Sequence, residues 1–289
     1  MSVSATGLAA IDRSVFAPSV SDLIRVDART PVAAASRGAE GSSIPASSAR
    51  TRESALLAAD VYNDVAAPPP GFRVADADDL ARLNLQPRQL EAPGSSFRAR
   101  VYVTGECDAT RYVVAFRGSS SGEDWRNNFQ QAGGGNSESY AKALLIGERL
   151  ARSDASVTIA GHSLGGGLAA TAAVASGRAA DTFNAAGLSD RTIAAATASA
   201  AANDRAPGTV EAWQVRGEIL SHLQDGGDRV LGFLVGGIPG ALLADAPSAY
   251  GNRHTLPEVV PDGKSWLAEH SRIDRHMIDW VLAGAAALR

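Results

Sequence analysis

The sequence predicts an α/β fold, with a mostly parallel sheet and helices on both faces. Three observations predict it. From Arg111 to Val215, apolar runs of strand length alternate with runs of helix length, which is the pattern of strand–helix–strand units. The strand runs, such as Arg111–Phe116 and Ser156–Ala160, are largely apolar throughout, as strands covered on both faces are. The chain has 289 residues, 45% of them apolar and 20% charged, so it has the material for one large core.

The elements follow in order. Residues 1–50 are rich in Ala, Ser and small polar residues and show little periodicity. They read as a flexible arm, because they cannot bury enough apolar surface to offset the entropy of ordering. The domain is expected over residues 51–289. Ser54–Tyr62 has helical spacing, with Thr51 or Ser54 as N-cap. The Pro-Pro-Pro-Gly stretch ending at Gly71 stops it. Strands are expected at Phe97–Thr104 and Arg111–Phe116, joined by a turn over Gly105–Ala109. Ser137–Arg152 places Tyr140, Ala143, Leu144, Ile146 and Leu150 at helical spacing. Then come a strand at Ser156–Ala160, a helix at Leu164–Ser176, a strand at Ala180–Ala185, a helix at Asp190–Ala202 and a strand at Val210–Val215.

Composition excludes several classes. A net charge of −4 with no dense Lys/Arg stripe argues against nucleic acid as partner. It also makes any membrane contact mainly apolar. A single cysteine, Cys107, rules out an intrachain disulfide and a multi-cysteine metal site. The longest apolar run, Val230–Ala244, is interrupted by Gly and Pro and is shorter than the ~20 residues that span a bilayer.

Gly161-His162-Ser163-Leu164-Gly165 fits G-x-S-x-G. The bare pattern is common in a chain this rich in Gly and Ser. Its context makes it specific, since an apolar strand precedes it and an Ala-rich helix follows it. That is the α/β-hydrolase elbow, in which a sharp turn exposes a nucleophilic serine at the carboxyl edge of the sheet. Leu164 N–H opens the helix and is placed to hold a developing oxyanion. His162 precedes the serine, so its ring is expected to point away from the active face.

The segment Thr158-Ile-Ala-Gly-His-Ser-Leu-Gly-Gly-Gly-Leu-Ala169 closely resembles the nucleophile segment of class 3 lipases. Val113-Val-Ala-Phe-Arg-Gly-Ser119 resembles their oxyanion loop, followed by Asp124, Trp125 and Asn128. Thr182-Phe-Asn-Ala-Ala-Gly187 resembles the next strand of that family. The resemblance spans Arg111 to Gly187. It implies an α/β-hydrolase acting on lipid esters at a membrane surface, with Ser119 as second oxyanion donor and with no metal or other cofactor. Some bacterial proteins of this look are phospholipases delivered into rival cells and held in check by a cognate inhibitor. No signal-peptide pattern opens the chain, so the expectation is a protein made in the cytoplasm and exported by a dedicated system.

A serine nucleophile needs a base, and the base needs an orienting carboxylate. In this fold they follow in the order Ser, acid, His. Glu218, just after the strand Val210–Val215, stands where the family carries Asp, and Asp225 and Asp228 are its rivals. His276, at the head of a helical run, is the favoured base, with His254 and His270 as alternatives. The apolar segment between acid and base, with Leu231, Phe233, Leu234 and Ile238, is expected to form a lid or acyl pocket. Two rival readings stand beside lipid hydrolysis: a soluble esterase or thioesterase, and a catalytically silent hydrolase-fold binding module.

Overall fold

The computed structural model describes residues 48–91, 96–119, 137–218 and 248–289. Among the described residues seven strands form one sheet in sequence order: β1 (Arg73–Val74), β2 (Ala99–Thr104), β3 (Arg111–Phe116), β4 (Ser156–His162), β5 (Ala179–Phe183), β6 (Val210–Gln214) and β7 (Asn252–Thr255). The first three pair antiparallel. From β3 to β7 every pairing is parallel. The expected mostly parallel α/β sheet is therefore present, with an antiparallel margin.

Sequential order has a consequence. Right-handed crossovers in a parallel sheet traversed in one direction place every crossover helix on the same face. The helices α4 (Ser137–Ala151), α5 (Leu164–Ser176) and α6 (Asp190–Ala202) pack side by side there. They cover Tyr112, Val114, Val157 and Ile159 with Ile146, Leu150 and Leu168. From Gly165 to Ser176 every residue of α5 is buried, which suits a helix built from Gly, Ala, Leu, Val, Thr and Ser that is apolar nearly all round.

The other face is covered by the two ends of the described chain. Helix α1 (Ser48–Asp60) lies against α9 (Ile278–Ala286). Leu57, Ala58, Trp280 and Val281 pack over Tyr102, Val113, Ala115 and Phe183. Alternate residues of β2 and β3 thus enter different cores, and both cores are apolar. That is why β3 reads as a continuous apolar run.

Two expectations change. Helix α1 begins at Ser48, within the expected arm. Thr51 and Ser54 are not N-caps; both are buried inside the helix. For Ser54 the reason is Asp181 on β5, fully buried beneath α1. Its carboxylate takes two hydrogen bonds from Arg50, at 3.0 and 3.1 Å, and one from Ser54 Oγ at 2.8 Å. A buried carboxylate needs such partners, and the bond from Ser54 Oγ holds that residue inside the helix. Strand β7 carries no apolar pattern because it is a polar strand along one margin of the sheet, exposed at three of its four residues.

The remaining short α-helices among the described residues are α2 (Ala77–Arg82), α3 (Pro87–Leu90), α7 (Trp266–His270) and α8 (Arg272–His276). No helix among the described residues is long and apolar enough to cross a membrane.

Candidate active site

The site grows out of the turn between β4 and α5. Ser163 sits there at φ 60 and ψ −127. That is a strained conformation for a residue with a Cβ, and it is the expected cost of a nucleophile elbow. The elbow is too tight for flanking side chains. A Cβ on Gly161 would lie 2.1 Å from Gly165 O, and one on Gly165 would lie 2.2 Å from Phe116 O. Gly165→Ala should gain about 1 kcal/mol of helix propensity but meets a backbone carbonyl that cannot move. A net destabilisation of about 2 kcal/mol is expected, measured as a lower urea midpoint.

His276 closes α8, not the head of the last helix as expected. Met277 is extended, and α9 starts at Ile278. The break turns the ring toward the elbow. His276 Nε2 lies 2.9 Å from Ser163 Oγ, and Nδ1 lies 2.7 Å from Glu218 Oε2. The three side chains are buried. An ionised carboxylate only accepts, so Nδ1 carries the ring proton and the Nε2 lone pair faces the serine hydroxyl.

Glu218 follows β6 in a tight turn, with its N–H donating to Val215 O at 3.2 Å. Gly217 supplies the positive φ of 72 that the turn requires. In this turn the glutamate side chain reaches the imidazole, at the position where the resemblance leads us to expect aspartate.

The structure places the two alternative histidines elsewhere. His254 pairs with the buried Glu211 and stacks on Trp213, with ring centroids 4.5 Å apart. It is on β7, three strands from β4, or roughly 14 Å at ~4.8 Å per strand. His270 is exposed on α7. Asp225, Asp228, Asp124, Trp125, Asn128 and the expected lid residues Leu231, Phe233, Leu234 and Ile238 lie outside the described residues. Leu164 opens α5 directly after the serine. Gly118, one residue before Ser119, packs against the elbow, since a Cβ there would lie 3.2 Å from Ser163 Cβ.

Sequence reasoning missed two supports. Asn184 directly follows β5, with φ 43, a conformation that asparagine tolerates. Its Oδ1 accepts from Val215 N–H at 2.8 Å, and its Nδ2 donates to His276 O at 3.1 Å. One amide therefore ties the strand before Glu218 to the segment bearing His276. The only signal was its place in the Thr182–Gly187 motif. The other support is His162. Its ring, expected to point away from the active face, lies directly against His276, with centroids 5.1 Å apart.

Burial, and then the neighbouring His276, push the His162 pKa down to about 3 from its ordinary 6.5. Tyr62, His276 and Glu218 are the titratable groups around it. Above pH 6.5 both the folded and unfolded forms of this ring are neutral. As pH falls below 6.5 only the unfolded form takes up the proton, so stability drops toward pH 3. The expected slope is about 1.4 kcal/mol per pH unit. His162→Gln should lack this contribution in urea melts between about pH 6.5 and 4.5. Carboxylates such as Asp79, held low by Arg73, act only below their ordinary 3.8.

A serine elbow at the carboxyl edge of a mostly parallel sheet, with an acid and a histidine following in that order, defines the α/β-hydrolase class. Residues 53–262 match the profile described as a Tle-like phospholipase domain, and the chain belongs to that family. It is also 43% identical over 141 residues to an extracellular phospholipase A1 of Serratia liquefaciens. That match covers 48% of this chain and 43% of the relative, so the chain spans less than half the length of that protein. Among solved structures it is similar to a Rhizomucor miehei lipase–propeptide complex. That likeness has 18% identity, covers 58% of this chain and 71% of the other, and has a TM-score of 0.27.

Proposed function

We propose that the chain is a serine phospholipase that cleaves carboxylic-ester bonds of phospholipids through an acyl-enzyme. Ser163 Oγ attacks the ester carbonyl carbon while His276 Nε2 takes its proton. Glu218 holds the imidazole and stabilises the imidazolium. The carbonyl oxygen gains negative charge, and Leu164 N–H and Ser119 donate to it. Collapse releases the lysolipid alcohol, which takes the proton back from His276. Water, activated by the same histidine, then frees the fatty acid.

The observation that carries this reading is the buried run of contacts from Ser163 through His276 to Glu218, at 2.9 and 2.7 Å. Family membership and the phospholipase A1 relative support phospholipid as the substrate class. The extracellular relative supports action outside the producing cell, and we read the protein as an exported effector. An enzyme that attacks membrane lipid endangers its own producer, so a cognate inhibitor protein belongs to this reading.

The test is fatty-acid release from phospholipid vesicles by wild type and by Ser163→Ala. Release by wild type alone supports the proposal. Turnover of a soluble ester with none from vesicles would replace it with an esterase. Failure of a fluorophosphonate to label the folded protein would point to a silent module.

A further inference from the structure

A line of hydrogen bonds runs under the site, and its direction can be worked out. His162 Nε2 lies 2.8 Å from the backbone oxygen of His276. A carbonyl oxygen only accepts, so Nε2 carries the ring proton and Nδ1 is left as an acceptor. Tyr62 Oη lies 3.0 Å from that Nδ1, so the phenol donates to it. The same Oη lies 3.5 Å from His162 O, which is the weaker of its two outlets. Tyr62 Oη in turn accepts from Gly118 N–H at 3.1 Å. The order is Gly118 N–H to Tyr62, Tyr62 O–H to His162, and His162 Nε2–H to His276 O.

The two ends of this line matter. Gly118 stands one residue before Ser119, in the loop assigned to the oxyanion. The other end is the main chain of the base. We propose that Tyr62 and His162 are positioning residues that lock the oxyanion loop and the catalytic histidine to each other through the core. The inference rests on the hydrolase reading above.

Three features fit it. His276 O receives a second donor, Asn184 Nδ2, so the backbone of the base is held from two sides and its ring cannot drift from Ser163. A ring that stays neutral suits a position 5.1 Å from an imidazole that becomes positive in the transition state. The relay also leaves no room for change at Gly118, where a Cβ would lie 2.3 Å from Tyr62 Oη.

Tyr62→Phe, His162→Leu and His162→Gln are compared with wild type, with Ser163→Ala as the blank. A soluble short-chain ester and phosphatidylcholine vesicles serve as substrates. The readouts are kcat, KM, the urea midpoint and the low-field proton signal of the His276 Nδ1–H shared with Glu218. Gln keeps an N–H near the place of Nε2, whereas Leu does not. We expect kcat to fall about 10-fold in Tyr62→Phe and about 100-fold in His162→Leu, with KM unchanged. His162→Gln should recover to within about 5-fold of wild type. The low-field signal should shift or broaden in the Phe and Leu variants and return in the Gln variant.

Folded Phe and Leu variants with wild-type kcat would overturn the relay, as would a Gln variant no better than Leu. If His162→Leu does not fold, the single-atom change Tyr62→Phe decides alone. Wild type without Ser163-dependent turnover on either substrate would instead sink the hydrolase reading, and the relay with it.

Discussion

Ser163→Ala is expected to lower kcat/KM for ester hydrolysis by about 10⁴- to 10⁶-fold while leaving the fold intact. The hydroxyl lies 2.9 Å from His276 Nε2, the distance at which the ring can take its proton. The backbone is already committed to φ 60 and ψ −127, and alanine bears the same Cβ strain as serine, so the urea midpoint should hardly move. Ser163→Gly separates the two effects. It loses the same activity but relieves the positive-φ strain, and should gain about 1 kcal/mol of stability. Retention of more than a few per cent of turnover in Ser163→Ala would mean that another residue attacks the ester.

Glu218→Gln is expected to cost about 10³- to 10⁴-fold in kcat. The amide matches the volume of the carboxylate, but it lacks the charge that stabilises the imidazolium. It can also turn its NH₂ toward Nδ1 and reverse the tautomer of the ring. Glu218→Asp keeps the charge and shortens the arm by one methylene. It should cost about 10- to 100-fold, because the carboxylate then falls short of a contact now made at 2.7 Å. The order of the two variants is the informative result. If Gln outperforms Asp, reach matters more than charge at this position. If neither variant loses activity, the acid lies elsewhere, with Asp225 and Asp228 as the candidates to test next.

The parts of this site differ in how far they could be read from the sequence. The elbow was legible because it is local. A strand-length apolar run, two glycines at fixed spacing and a helix-length small-residue run are all properties of neighbouring residues. Glu218 and His276 were ranked by chain order and by family likeness, against rivals of the same chemistry. Nothing in the local residues separates His276 from His270. The extra glutamate methylene becomes intelligible only in the turn after β6, where Gly217 bends the chain. Tyr62 and Asn184 carried no chemical signal of their own. Tyr62 looked like the end of a helix, and Asn184 like the end of a strand.

By itself the sequence determined the α/β class, the strand–elbow–helix unit and the residue at its apex. These follow from backbone periodicity and steric limits that act over a few residues. Tertiary structure decided which carboxylate and which histidine meet that apex, since Ser163 and His276 are 113 residues apart and Glu218 and His276 are 58 apart. It also decided that α1 and α9 cover one face of the sheet while α4, α5 and α6 share the other. Both results come from one cause. The sheet adds its strands in sequence order, so right-handed crossovers crowd one face, and the ends of the described domain are left to close the other, bringing Tyr62 and His276 together beneath Ser163.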